Sequence, residues 1–342
     1  MRHRQFLLFM LPTMLVMLLF IALPLISVAV QSLFVEHEQV MKAVENCGPF
    51  GCRLEMQVDA EAMKTLREDQ PLGRFNGLGT YLDANHLAIE QIGTIWQQSS
   101  TLSQAVGQLL NLPFYKALSF TLAYTAIVTP LVIVFGFIIA LAVNQLPALL
   151  RGPVIFFSLL PMIVTPLIGS LVLFWMIDAK GIIGANLQLL FDDPQLSLKA
   201  SPVLTWVTLF VYGVWHSIPL SFIIFFAGLQ TVPKDILDSA RVDGTHALQR
   251  VRYVIIPHLM PLAIFVALVQ LMDNFRVFEP IVGLSAQANA TSLSYQIYSD
   301  LRGQESPLYG SASATSLMTI IGIIILLLPM LRRSWRDFRQ QV

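Results

Sequence analysis

An all-α polytopic membrane protein with six transmembrane helices is the fold this chain predicts, on three observations. The 342 residues are 55% hydrophobic and only 12% charged, with mean hydropathy +0.67, far from the composition of a soluble domain. Apolar runs of about 20 residues, enough for a helix to cross a hydrocarbon core of about 30 Å, recur near residues 6–30, 119–143, 154–177, 203–229, 261–283 and 312–331. The basic residues of the short segments between them fall mostly on one side. Arg2, Arg4, Arg151, Lys234, Arg241, Arg250, Arg252, Arg332, Arg333, Arg336 and Arg339 stand against only Lys180, Lys199 and Arg302 opposite. Eleven against three places both termini in the cytoplasm, which agrees with an even number of spans.

Taken in order, residues 1–34 are expected to hold the cytoplasmic N-terminus and the first span. Pro12 and Pro24 fall inside this span and no convincing cleavage site follows it, so it reads as a retained helix rather than a removed signal peptide. Residues 35–113 form a small external insert between the first and second helices. Its CGPFGC turn can bring Cys47 and Cys52 together; an oxidising compartment favours a disulfide, two free thiols being the alternative. Beyond it, the charged run through EAMKTLREDQ reads as partly helical. The insert is either a functional cap or a spacer.

Residues 114–230 carry helices 2–4, residues 231–260 a cytoplasmic loop, residues 261–331 helices 5 and 6, and residues 332–342 a basic cytoplasmic tail. The sequence has no GxxxxGK[ST] phosphate loop, no HExxH and no GxSxG, and none of its six histidines is paired at metal-ligand spacing. A resident catalytic, cofactor or metal site is therefore not expected in this chain.

The loop suggests two short helices, one starting near Pro233 and one after Gly244, with Gly244 supplying the bend. Ser239 and Ala240 are small enough for close approach by another protein. Asp243 is expected to cap the second helix. Leu248, Val251 and Ile255 form an apolar face with Arg250 and Arg252 turned away, and Pro257 and Pro261 are expected to stop the helix before the next span. An amphipathic helix lying on anionic lipid fits the same pattern as a docking loop does.

The order Asp238, Ser239, Ala240, then Asp243-Gly244, then Pro257 resembles the EAA loop of ABC-importer permeases, with Asp-Ser-Ala in place of Glu-Ala-Ala and Val251 where the family usually has Phe. The resemblance extends over most of the chain and is closest in kind to the sugar-importer branch, of the maltose and glycerol-phosphate type. RFNGLGTYLDA, PFYKALSFTLAYT, SLLPMIVTPLIGSLVLFWM, AKGIIGANL, VWHSIPLSFIIFFAGLQTVP, VFEPIVGLS, ATSLSYQIY and YGSASATSL all resemble segments of that branch. Two departures stand out: the family's Gly-Gly-Pro is replaced near Ala286 to Ala288, and about 30 extra residues separate Tyr81 from Phe114.

What the resemblance implies is a type I ABC importer permease fold, inserted in the bacterial inner membrane and forming half of a pore for a sugar or related polyhydroxylated solute. It implies as partners a second permease of different sequence, two cytoplasmic ABC ATPases that bind ATP and Mg, and a periplasmic solute-binding protein; membrane lipid surrounds the chain, and no nucleic acid is expected. The loop residues Asp238, Ser239, Ala240, Asp243, Gly244 and Pro257 would couple to the ATPase. The solute path would run over the two spans flanking the loop. His216, Ser217 and Ser221 are the polar candidates before it, and Gln270, Asp273 and Asn274 those after it. An ionisable residue at membrane depth should face the bundle interior or water, although Asp273 paired to Arg276, or His216 satisfied by a neighbouring helix, would serve structure alone. Trp215 and Phe278 are candidates to stack on a sugar ring. An ATP-independent secondary carrier and a membrane scaffold recruiting another cytoplasmic protein are the competing readings.

Overall fold

A backbone in hydrocarbon must satisfy its own N–H and C=O groups, and helices do so within a single segment. In the computed structural model, which describes residues 2–48, 51–302 and 307–341, α1 (Arg2–Met17) and α2 (Leu23–Gln31) join through a π-helical turn at Leu18–Ala22 to form the first span. The insert holds β1 (Phe34–Val35), β2 (Met41–Gly48), β3 (Gly51–Val58), α3 (Ala60–Asp69), β4 (Arg74–Phe75), α4 (Gly79–Leu82), α5 (Ile89–Gln98) and α6 (Leu102–Leu109). Then follow α7 (Pro113–Asn144), α8 (Ala148–Ile163), α9 (Pro166–Met176), α10 (Ile182–Phe191) and α11 (Pro202–Leu229). The loop contains α12 (Lys234–Val242) and α13 (Ala247–Arg250). A second π turn, Val251–Ile255, leads into α14 (Ile256–Phe275), and α15 (Glu279–Gly283), α16 (Leu293–Leu301) and α17 (Tyr309–Gln341) complete the order.

Among the described residues five helices are long and apolar enough to cross a membrane, and α8 with α9 makes a sixth segment bent by 92°. The expected third span is thus broken rather than straight. Val164 is extended and Pro166 has no N–H to continue a helix. The fifth span also ends earlier than expected, at Phe275 instead of near residue 283, with α15 a separate turn beyond Arg276.

The contacts divide the chain into two compact units. The first comprises residues 1–115 and 296–319. Here the insert contains more than the helix expected for EAMKTLREDQ, which is present as α3, capped by Asp59 accepting from the Glu61 and Ala62 N–H groups. Strand β1 pairs with β4, and β2 pairs with β3 as a hairpin in which Cys47 lies opposite Cys52. The side chains of both cysteines lie outside the described residues. Tyr81 donates to Ser32 Oγ at 2.6 Å, and buried His86 contacts the Ser311 carbonyl and Thr315 Oγ1 through Nε2, at 3.2 and 3.1 Å. Ser311 Oγ donates to Asp300 Oδ2 at 2.8 Å, and the Gly310 N–H to Glu36 Oε1 at 2.7 Å. These bonds tie the insert to the start of α17.

The second unit comprises residues 116–295 and 320–342. One apolar cluster gathers Phe120, Tyr124 and Val128 of α7, Leu209 of α11 and Ile281 of α15. A second gathers Val143 of α7, Phe222, Phe225 and Leu229 of α11, and Leu259 and Val266 of α14. Helix α8 packs on α11, α11 on α14, and α9 on α15. Close helix approach is made possible by small residues: a Cβ on Gly136 would stand 2.6 Å from Ser221 Cβ and 3.0 Å from the Phe222 nitrogen.

Candidate functional site

Two features gather the residues expected to be functional, and both belong to the second unit. The first is the loop. Helix α12 starts directly after Pro233, as expected, and Asp238 pairs with Arg241 on its surface at 2.8 Å. The chain then turns through Gly244, whose φ of +77° belongs to the left-handed region that glycine occupies without a Cβ penalty. Asp243 does not cap the second helix. It ends α12, with its N–H bonded to the Ser239 carbonyl, while residue His246 begins α13 and donates its N–H to Gln249 Oε1 at 3.1 Å. The reason is spacing: two residues intervene between Asp243 and His246, which puts Asp243 too far upstream to reach the first free N–H groups of α13. Thr245 Oγ1 donates to the Ala240 carbonyl at 2.6 Å, and Arg250 folds back to donate to the Thr245 carbonyl. The bend is thereby locked by its own side chains. Asp238, Asp243 and Gly244 stand exposed.

Pro257 and Pro261 do not stop the helix. From Ala247 to Phe275 the chain is continuously helical. The π turn at Val251–Ile255 ends one residue before Ile256-Pro257, and its wider ring accommodates a residue that lacks an N–H and crowds the preceding turn. The first span repeats the device, with the π turn Leu18–Ala22 just ahead of Pro24. The second helix of the loop and the transmembrane rod are consequently one continuous piece.

The second feature is a cavity of about 490 Å³ lined by residues of α7, α8, α9, α11, α14 and α15, within the size range of ligand sites, about 300–1,000 Å³. Of the expected solute-path residues, His216, Ser217, Gln270, Asp273 and Asn274 line it together. Ser221 does not. It lies one turn farther along α11, fully buried against the Gly136 position and near Gln270 Nε2 at 3.5 Å. Gln270 also donates to the Ser217 carbonyl at 3.3 Å, and Asn274 to Thr129 Oγ1 at 2.9 Å, so both amides are held by the bundle while lining the cavity. His216 is oriented by stacking on Tyr212, with ring centroids 6.0 Å apart and 7° between planes, and Tyr212 donates to the Pro166 carbonyl at 2.8 Å. His216 Nδ1 is buried and has no hydrogen-bond partner among the described residues. Asp273 pairs with Arg276 at 3.0 Å, as the structural alternative required.

Tyr124 and Glu279, not singled out from sequence, also line the cavity, as does Arg276, expected only as the partner of Asp273. Tyr124 supplies the aromatic surface; Trp215 and Phe278 are absent from the lining. Glu279 carried a usable signal, since it is an acid within the apolar run near residues 261–283. Away from the cavity lining, Lys199 pairs with Asp178 at 3.0 Å and lies 3.4 Å above the Phe174 ring. The Lys199 ammonium holds the Asp178 carboxyl below its ordinary value.

Known proteins resemble this chain in both sequence and fold. The multiple sugar-binding transport system permease protein MsmF of Streptococcus mutans is 29% identical over 221 residues, 63% of this chain and 74% of that protein. The sn-glycerol-3-phosphate transport system permease protein UgpA of Yersinia pestis is 25% identical over 238 residues, 67% of this chain and 79% of that protein. A crystal structure of a bacterial ABC transporter involved in the import of the acidic polysaccharide alginate contains a chain that superposes with a TM-score of 0.59 at 18% identity, covering 81% of this chain and 99% of that one. The family described as the binding-protein-dependent transport system inner membrane component matches residues 132–334, more than half of the sequence. The protein belongs to that family and is a multi-pass, non-catalytic permease subunit of a binding-protein-dependent ABC importer.

Proposed function

We propose that this permease forms half of a translocation pore for a sugar or related polyhydroxylated solute, pairs with a second permease of different sequence, and is driven by two cytoplasmic ATPases. Those ATPases bind ATP and Mg and dock on the exposed α12–α13 loop; a periplasmic binding protein delivers the solute. Both termini are cytoplasmic, which follows from the basic-residue bias and from counting bent α8–α9 as one span. Cys47 and Cys52 form a disulfide, which their cross-strand positions support.

The observation that carries this reading is the loop's construction. Asp238, Ser239, Ala240, Asp243 and Gly244 occupy a short exposed helix and a locked left-handed turn, and a continuous helix runs from there through Pro257 to the cavity wall at Gln270, Asp273 and Asn274. Movement of the loop by an ATPase pair would therefore be transmitted as rigid-body motion to the solute path. The names of relatives such as the multiple sugar-binding permease support the solute class. So does the lining, in which two amides, a hydroxyl and the Tyr124 ring, alongside Asp273, Arg276 and Glu279, surround a space of sugar size.

The test is Gly244→Asp. A Cβ at Gly244 would meet nothing within 4 Å, so the fold is expected to withstand the change at a cost of about 1 kcal/mol for the left-handed backbone. Loss of ATPase co-purification and of ATP-driven uptake in vesicles, with normal membrane insertion, is the expected outcome. Wild-type uptake by the variant would remove the loop from the coupling path.

A further inference from the structure

We infer that Glu279 makes the solute cavity reject anions, so that the solute is a neutral or amine-bearing polyol. The inference rests on the proposed solute path and adds the charge class of what passes along it. Three charged side chains line the cavity: Asp273, Arg276 and Glu279. Arg276 is engaged within the end of its own helix, donating to Asp273 Oδ1 at 3.0 Å and to the Met272 carbonyl at 3.3 Å. No cation pairs with Glu279 among the described residues, and its side chain is exposed. The residue is fixed from behind: Ser170 Oγ is 3.4 Å from its carbonyl, and Pro280 and Ile281 beside it are buried. The lining thus carries one negative charge in excess, and its guanidinium, Arg276, is already paired with Asp273 rather than free for a solute carboxylate or phosphate.

The remaining polar groups suit hydroxyls. Gln270 and Asn274 present amides, Ser217 a hydroxyl, and His216 an unpartnered ring nitrogen. A neutral sugar is matched by these groups without any charge, and an ammonium on the sugar would gain Glu279 as a partner. An anion brought to within about 6 Å of Glu279 at an effective dielectric near 20 would bind at least tenfold more weakly than its neutral analogue.

Three probes that share a pyranose ring separate the possibilities: methyl glucoside, glucosamine and glucuronate. Each is titrated against the purified permease–ATPase assembly in nanodiscs, and the concentration giving a half-maximal thermal shift is recorded. Expected is comparable or tighter binding of glucosamine than of methyl glucoside, with glucuronate at least tenfold weaker. Glu279→Gln should bring glucuronate to within about threefold of methyl glucoside, while Glu279→Asp, which retains the charge, should keep the discrimination. Glucuronate binding as tightly as methyl glucoside to the wild type, or unchanged discrimination in Glu279→Gln, would overturn the role of Glu279 and leave the polyol reading intact. Binding of none of the three would overturn the polyol reading itself, and the inference with it.

Discussion

Gly136 sets how closely α7 and α11 approach, because any side chain there meets Ser221 and the Phe222 backbone. Neither neighbour is the free end of a flexible chain, so the helices themselves must shift. Gly136→Ala is expected to lower stability by about 1–3 kcal/mol, the usual cost of overpacking, seen as a lower melting temperature in detergent; unchanged melting would show that α11 moves freely. A second residue-scale effect concerns Asp300 in the first unit. Burial pushes its carboxyl above the ordinary value, against smaller opposing effects of Ser311 and His86. With the folded value above the unfolded one, the native state binds more protons in that window, and stability falls as pH rises through it. Asp300→Asn should therefore melt above the wild type at neutral pH, and the gap should shrink as pH falls toward the ordinary carboxylate value. A gap independent of pH would assign the effect to something other than ionisation. At this scale the sequence was partly legible. Five of the six residues expected on the solute path meet in one cavity, because an apolar helix leaves its few polar groups nowhere else to go. Ser221 shares a helical face with Ser217 but is covered by the approach of α7, which no spacing on α11 reveals.

Among elements, the π turn at Val251–Ile255 matters most. Helical periodicity correctly marked helices on both sides of Gly244, but the prolines misled: each was expected to terminate a helix, and the chain instead widens by one residue and continues. Replacement of Pro257 by Ala restores an N–H and removes the need for the wide turn. Relaxation to a regular helix would rotate the α12–α13 loop by about 100° relative to α14. The expected result is unchanged or higher thermal stability with a several-fold loss of ATPase stimulation, measured on the assembled complex. Full coupling in Pro257→Ala would mean that the π turn has no part in aiming the loop. The hairpin β2–β3 was likewise only half visible. The CGPFGC turn signalled the reversal, and the strict apolar–polar alternation from Cys52 to Val58 was a strand signal left unread.

For the whole molecule, the membrane class was plain from hydropathy alone, because no soluble core accommodates six long apolar runs in 342 residues. The bend inside the third run was not, since hydropathy averages over a window and is blind to a single extended residue such as Val164. That bend bears on how the chain is made. A helix rises about 1.5 Å per residue, so the 16 residues of α8 and the 11 of α9 reach only about 24 and 16 Å. Neither half crosses a bilayer alone, and a bent pair leaves backbone groups at its elbow that lipid cannot satisfy. The Pro166 carbonyl at that elbow is met by Tyr212, on a helix synthesised later, and α9 packs on α15, later still. A nascent chain released before residue 202 should hold residues 148–176 in an unfinished, protease-sensitive state in the membrane, whereas one extended past residue 283 should protect them. Equal protection of both lengths would show that the elbow closes unaided. On this account, insertion runs from the N-terminus but maturation runs backwards, the middle of the protein waiting for its end.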